Sequence, residues 1–412
     1  MNFNDLQLKK SILKSVIESG YEQPTPIQQK CIPLILGNKD IIATAQTGTG
    51  KTAAFALPIL QMLFPYQDES NKDKKIRALI VAPTRELAVQ INESFSNYAK
   101  YTNLRSAVVF GGTSLDPQIA ILRKGVDILV ATPGRLLDLH KQDEINLDYV
   151  KYLVLDEADL LLEMGFIDDV KKIERLCPAK KQSLLFSATM PDKVVDLANT
   201  ILKSPTKIAI SQISSAAKNV QQNLFYVPIE SKIELCLHIL EDRIKEGTTI
   251  IFRRTKYGVE KLEETLLSNG YLANSIHGDK SQSDRQIALN QLKNNEITIL
   301  IATDVASRGL DIPSLDFVIN FDIPNIPEIY VHRIGRTGRA SEMGVSLSLC
   351  AAEEKNYIKL IESLLQTSIP VDSNHPFPLD PEEKAMIHKK QGSKYRQGRK
   401  SEGSKKKKKR WY

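Results

Sequence analysis

The sequence lacks any long apolar run: nothing in its 412 residues approaches the roughly 18 consecutive apolar residues that cross a bilayer. The opening stretch, MNFNDLQLKKSILKSVIESG, also lacks the apolar core of a secretion signal, so a cytoplasmic protein is expected. Cysteine is scarce. Cys31, Cys177, Cys236 and Cys350 stand singly and far apart, without the paired spacing of a zinc site or a disulfide scaffold, and are expected to be reduced packing residues.

Hydrophobic residues make up 42% and charged residues 25%, which is ordinary for a globular protein, and the length exceeds what one hydrophobic core organises. Two domains are expected. The net charge of +7 points to a polyanionic partner, yet it is concentrated at one end: Asp380 to Tyr412 holds 13 Lys and Arg against 4 Asp and Glu, which leaves the first 379 residues at −2. The segment HKKQGSKYRQGRKSEGSKKKKKRWY has too little apolar surface to offset the entropy of ordering it and is expected to be disordered. It reads either as a solvated solubility tag or as a polybasic arm that neutralises phosphates without reading bases.

Short β-branched runs alternate with longer amphipathic stretches. DIIATA, RALIVAP, SAVVFGG, VDILVATP, YLVLDEA and SLLFSAT read as buried strands, with helices over residues 52–63 and 85–99, the pattern of an α/β protein whose parallel sheet is covered by helices. A polar stretch, SQISSAAKNVQQN, interrupts the rhythm, which resumes with TTIIFRRT, ANSIHGD, ITILIATD, DFVINFDIP and VSLSLC. The expected division is a first domain over 1–210, a linker over 211–219, a second domain over 220–370 and a basic tail over 371–412. DILVATPGRLLD and TILIATDVASRGLD echo each other as a strand followed by an Ala-Thr turn, which suggests two related domains facing each other across a cleft.

AQTGTGKT, Ala45 to Thr52, follows a predicted strand and opens a predicted helix, the setting in which a Gly-rich phosphate loop is meaningful. Ala45 stands where the general pattern has glycine, and Gln46, Thr47, Gly48, Thr49 and Gly50 form the turn. Backbone N–H groups of Gly48 to Lys51 can converge on phosphates, Lys51 adds a positive charge, and Thr52 offers a Mg²⁺ ligand. YLVLDEAD supplies the acidic partner. Asp156 follows four apolar strand residues, where a carboxylate holds Mg²⁺ through its waters, and Glu157 is placed to orient and deprotonate an attacking water. The Asn/Thr-Lys-x-Asp guanine reader of a GTPase is missing, so ATP is the expected nucleotide.

These motifs, with the DEAD at Asp156 to Asp159, resemble the DEAD-box ATP-dependent RNA helicases in order over nearly the whole chain to about Ser368, and the wording around GGTSLDPQIAILRKGVDILVATPGRLLDL and IHGDKSQ looks most like the bacterial RhlE-like group. The resemblance implies two tandem RecA-like parallel-sheet domains. It assigns GYEQPTPIQ, Gly20 to Gln28, to adenine recognition, with Gln28 reading the base edge, Tyr21 beside it and Phe3 covering the base. RNA contacts are implied at Pro83, Thr84 and Arg85, at Gly111 and Gly112, at Thr132, Pro133, Gly134 and Arg135, and in the second domain at Gln282, Arg285 and Thr303. Such Gly, hydroxyl and Arg groups suit phosphates and sugars and carry no base information.

In YVHRIGRTGR the resemblance makes Arg336 and Arg339 arginine fingers that reach the γ-phosphate from the second domain, and Asp311 a ribose contact from the same side. Ser187 and Thr189 of SAT are assigned to coupling through hydrogen bonds to the DEAD carboxylates, and His277 and His332 to hydrogen-bonding support. Leu160, Leu161 and Glu163 depart from the usual wording after the DEAD box without touching the chemistry. The implied partners are ATP, Mg²⁺ and structured or duplex RNA read with little sequence specificity, together with ribonucleoproteins or ribosomal precursors, and no membrane. The implied activity is ATP hydrolysis on closure around RNA with local unwinding; an ATP-gated RNA clamp that hardly unwinds would use the same motifs.

Deleting residues 392–412 should weaken RNA affinity and flatten its salt dependence while ATP binding is retained. Titrations at two or more salt concentrations check this, and an unchanged salt slope returns the run to a solubility role.

Overall fold

The computed structural model describes residues 2–45, 48–64, 75–210, 220–244, 246–304, 315–338 and 343–380. Two sheets form. The first contains β1 (Ile41–Thr44), β2 (Ala78–Val81), β3 (Ser106–Val109), β4 (Ile128–Ala131), β5 (Tyr152–Leu155), β6 (Gln182–Ser187) and β7 (Thr206–Ala209), in the order β3-β4-β2-β5-β6-β1-β7. The second contains β8 (Val220–Tyr226), β9 (Thr249–Phe252), β10 (Ala273–Ile276), β11 (Ile299–Ala302), β12 (Phe317–Asn320) and β13 (Gly344–Cys350), in the order β10-β11-β9-β12-β13-β8. All pairings between these strands are parallel.

The strand residues are apolar at consecutive positions because both sheet faces are covered, and alternate residues feed opposite cores. Ala78 and Ile80 point to one side of the first sheet and Leu79 and Val81 to the other. Ile251 and Ile301 do the same in the second sheet against Ile250 and Leu300. The eleven strand runs expected from the sequence are present; β7 and β8 were not expected and lie at sheet edges. The predicted helices appear as Lys51–Leu63 and Arg85–Tyr98. The sequence echo also has a counterpart: β4 lies between β3 and β2, and β11 holds the same place between β10 and β9.

Residues 371–380 fall within the expected tail, yet the structure orders them. Residues 371–380 run along the outer edge of β8, where Asp372 N donates to Leu224 O at 2.8 Å and Leu379 N to Tyr226 O at 3.0 Å. An edge strand needs partners for its outer backbone groups, and this segment supplies them while Phe377 packs on the core and Asp372 pairs with Arg243 at 2.6 Å. The linker 211–219 and residues 381–412, with the basic run, lie outside the described residues. The four cysteines are buried and unpaired, and burial pushes their thiols up to about 12. Among the described residues no helix is long and apolar enough to cross a membrane.

Two buried ion pairs tie segments that are distant in sequence. Lys232, which opens the helix Lys232–Asp242 after β8, donates to Glu354 Oε2 at 2.6 Å and to Phe321 O at 2.7 Å. Near the start of the first sheet, the Asp127 carboxylate receives the Arg77 guanidinium and the Arg105 N–H. Asp127→Ala strands the buried Arg77 charge and should cost about 3–5 kcal/mol in a denaturant titration. A loss below about 1 kcal/mol would mean that Arg77 finds another acceptor.

Candidate active site

In parallel sheets of this kind every strand delivers its following turn to the same, carboxyl edge. The order of the first sheet sorts those turns. Phosphate loop, SAT and DEAD follow β1, β6 and β5, which are adjacent, while the expected RNA-contacting turns follow β2, β4 and β3, the remaining adjacent three on that side.

Ala45 leaves β1 with its N–H bonded to Ser187 O at 3.0 Å and its methyl inside the core, which explains why a methyl is accommodated there. Glycine is needed at Gly50, where φ is +89° and an added Cβ would lie 2.4 Å from Gln28 Nε2. Gln46 and Thr47 lie outside the described residues. Lys51 opens the next helix with Nζ buried, without a hydrogen-bond acceptor, and 3.8 Å from Glu157 Oε1. A buried ammonium in that state is costly unless an anion meets it, so the cradle fits a phosphate. Thr52 follows it, half-buried.

Asp156, Glu157 and Asp159 are all buried. Glu157 adopts φ 50° and ψ 57°, a left-handed conformation that costs a non-glycine residue of order 1 kcal/mol. This bend starts the helix Ala158–Glu163 and brings the Glu157 N–H onto Asp156 Oδ1 at 3.0 Å. Burial pushes the Asp156 carboxyl up to about 7 against the pull of Lys51, with repulsion from Glu157 added. Burial acts on Asp159 as well, but Lys51, His332 and hydrogen bonds from Thr189 and Ser187 outweigh it and hold that carboxyl below the usual range.

The SAT residues reach the last carboxylate of DEAD rather than the first two. Thr189 donates to Asp159 Oδ2 from both N and Oγ1 at 2.9 Å, and Ser187 Oγ accepts from Asp159 N at 3.1 Å. His332 stands in the second domain's helix Pro327–Ile334, so the Asp159 charge is held from both domains. His277 does not give the expected hydrogen-bonding support: it is buried, neither ring nitrogen has a hydrogen-bond partner, and Glu260 is 3.5 Å from Nε2.

At the expected base pocket, Gln28 is fully buried. Its Oε1 accepts from Thr25 N at 3.0 Å, and its Nε2 donates to Gly50 O at 3.2 Å, so this side chain is anchored to the phosphate loop and keeps one N–H in hand. Phe3 packs in the core in a T-shaped contact with Tyr21, centroids 6.2 Å apart, and Tyr21 OH meets Tyr98 OH at 2.7 Å. Tyr21 is the half-exposed ring of the pair.

Along the other strand ends, Pro83 precedes Thr84, whose hydroxyl caps the helix Arg85–Tyr98 by accepting from Leu87 N at 3.3 Å. The Arg85 guanidinium lies against Gly112, where φ is +76° and an added Cβ would fall 1.9 Å from Nη2. Beside it, Gly111 and Gly112 belong to a loop pinned by Gln118, which bonds Phe110 N and O, Thr113 Oγ1 and Ser114 O, a role without a signal in the sequence. Thr132, Pro133 and Gly134 start the helix Pro133–Lys141, with open space above Gly134. Arg135 Nη2 donates to Thr113 O at 2.9 Å, and its Nη1 is buried without an acceptor.

In the second domain Thr303 follows β11 with its N–H on Ile276 O at 3.2 Å. Arg285 projects from the helix Gln282–Lys293 to Glu86 Oε1 of the first domain at 2.8 Å, a bridge that sequence reasoning missed because Glu86 reads as a helix-start charge. Arg336 is buried at the end of the helix Pro327–Ile334. Asp311, Arg339 and the Gln282 side chain lie outside the described residues, and no group of three metal-ligating side chains occurs among the described ones.

Asp156 generates a pH prediction for the ligand-free protein. Its folded value of about 7 exceeds the ordinary 3.8, so between these pH values the folded chain holds a proton that the unfolded chain has released. The stability from this group is complete below the lower value and is lost as pH rises through the upper one. Asp156→Asn should therefore lose less melting temperature than wild type between pH 5 and pH 8, and parallel declines would contradict the assignment.

A model of the DEAD/DEAH box helicase family matches residues 25–197, and one of the helicase conserved C-terminal domain matches residues 231–341. The DEAD-box ATP-dependent RNA helicase RhpA of Helicobacter pylori (strain ATCC 700392 / 26695) is 41% identical over 368 residues, covering 89% of this chain and 73% of the relative. The ATP-dependent RNA helicase CshA of Listeria monocytogenes is 43% identical over 360 residues, covering 87% and 68%. A structure of S. cerevisiae Dbp5 bound to RNA and ADP BeF3 superposes with a TM-score of 0.79 at 30% identity, covering 90% of this chain and 95% of that one. These similarities do not single out the RhlE-like group. They and the two tandem RecA-like sheets agree: the chain belongs to the DEAD-box ATP-dependent RNA helicases, which hydrolyse ATP and bind RNA.

Proposed function

We propose that this helicase assembles its hydrolytic site only when its two domains, residues 1–210 and residues 220–380, close on ATP and a single RNA strand together. The observation that carries this reading is the pairing of the two carboxyl edges. At the nucleotide end His332 of the second domain helps to hold the Asp159 charge, and at the RNA end Arg285 meets Glu86, which supports one cleft that takes both ligands.

Lys51 binds the phosphates, Tyr21 and the remaining Gln28 N–H meet the adenine, and Glu157 orients and deprotonates the attacking water. Arg336 and Arg339 would stabilise transition-state charge from the second domain. Thr52 and Asp156 would hold Mg²⁺, and the fit is chemical: Asp156 is buried, accepts one N–H at Oδ1, and carries a burial penalty on its charged form that a bound cation would relieve. When bound, Mg²⁺ neutralises charge on the phosphate oxygens. Pro83, Arg85, Gly111, Gly112, Thr132, Gly134, Arg135 and Thr303 contact RNA phosphates and sugars, and Arg135 Nη1 is a donor still seeking an acceptor. A strand gripped along this edge in a form incompatible with a duplex loses its pairing partner locally. We place this activity in the cytoplasm, acting on structured RNA or ribonucleoproteins.

Glu157→Gln should lower RNA-stimulated ATP turnover by roughly 10²–10⁴-fold while ATP and RNA binding persist. Turnover, filter binding and displacement of a short strand from an RNA duplex read the three effects. A variant that hydrolyses ATP at the wild-type rate would remove Glu157 from the mechanism, and wild type that hydrolyses without displacing a strand would leave a clamp.

A further inference from the structure

Arg333 sits three residues before Arg336 in the same YVHRIGRTGR segment, but its surroundings exclude a phosphate contact. Its side chain is buried. Nε and Nη2 form a fork on Asp304, 2.6 Å to Oδ1 and 2.8 Å to Oδ2. Nη1 donates to Asn320 Oδ1 at 3.2 Å and to Asp322 O at 2.7 Å, and the guanidinium carbon lies 4.9 Å from the Phe252 ring centre. Asn320 is itself held by Ser346 and Ser348 of β13. One guanidinium thus gathers the ends of β9, β11 and β12, and its bidentate partner is the residue next to Thr303.

We infer that Arg333 is a positioning residue that couples RNA occupancy at Thr303 to the placement of Arg336 at the nucleotide. The inference rests on the roles given above to Thr303 and Arg336. A planar fork on a carboxylate fixes distance and orientation together, which a lysine ammonium does not. The turn carrying Thr303 and the helix end carrying Arg336 therefore move as one body. Strain or ordering imposed on the turn by RNA reaches the arginine finger through the buried Arg333 side chain, with Asp304 as the contact on the RNA side.

The test compares ATP turnover with and without single-stranded RNA for wild type, Arg333→Lys, Asp304→Asn and Arg336→Ala, with a melting curve for each. Arg333→Lys keeps the charge and loses the fork; Asp304→Asn, at a partly exposed position, keeps the shape and loses one arm. Both should reduce the factor by which RNA stimulates turnover by roughly tenfold, with RNA-independent turnover and the KM for ATP changing far less. The double variant should be no worse than the more severe single one. Wild type without RNA stimulation, or Arg336→Ala with wild-type turnover, would overturn the underlying reading instead. If those controls hold, an unchanged stimulation factor in both variants, or equal loss of basal and stimulated turnover tracking the melting temperature, would overturn the coupling role.

Discussion

Asp159 keeps its negative charge although burial opposes it, and much of the site is arranged around that fact. Lys51 from the β1 side and His332 from the other domain supply positive charge, while Thr189 contributes two hydrogen bonds from the turn after β6. Asp156, three residues earlier, lies in a similar burial but shares its surroundings with Glu157 and accepts only one N–H at Oδ1, so its carboxyl moves the other way. The split separates their roles: one carboxylate is held charged, and the other is the one whose proton the proposed Mg²⁺ would displace.

The order of strands turns this local arrangement into a two-ended machine. In the first sheet β5, β6 and β1 carry the turns proposed to hold the nucleotide, and β3, β4 and β2 those proposed to face RNA. The second sheet repeats the order, with Thr303 after β11 toward one end and the arginine helix after β12 toward the other. Across the domains Arg285 meets Glu86 at one end and His332 helps to hold the Asp159 charge at the other, and the proposed closure would engage both together.

Much of this was legible in the sequence where the physics is local. Strands buried on both faces read as apolar runs, and a strand-to-helix change of pattern announces itself, so β1 to β6, β9 to β13 and the helix that Lys51 opens after β1 were all anticipated. The two strands that escaped notice are edge strands: β7 is half-exposed TKIA, and β8, VQQNLFY, mixes polar residues because its outer side meets residues 371–380 rather than another strand. Those residues look tail-like in composition, and their pairing with β8, the packing of Phe377 and the Asp372–Arg243 ion pair order them. Partnerships across the fold had no sequence signal. Arg333 reads as one more cation in a basic cluster, Gln118 as a helix residue, and Gln28 as a base reader rather than a side chain already anchored to Gly50 O.

The matching strand orders give Lys232 a meaning beyond the stability of its ion pair. It opens the first α-helix after β8, as Lys51 opens the helix after β1, and it lies 3.9 Å from Asp322 behind β12 much as Lys51 lies 3.8 Å from Glu157 behind β5. The difference is Glu354, whose carboxylate already satisfies Lys232, whereas Lys51 Nζ has no such acceptor. Two copies of one architecture thus answer the same buried ammonium differently. One closes the circuit with its own side chain and becomes inert scaffold; the other leaves Nζ without an acceptor, an opening that the proposed phosphate would fill and through which the molecule would answer to fuel.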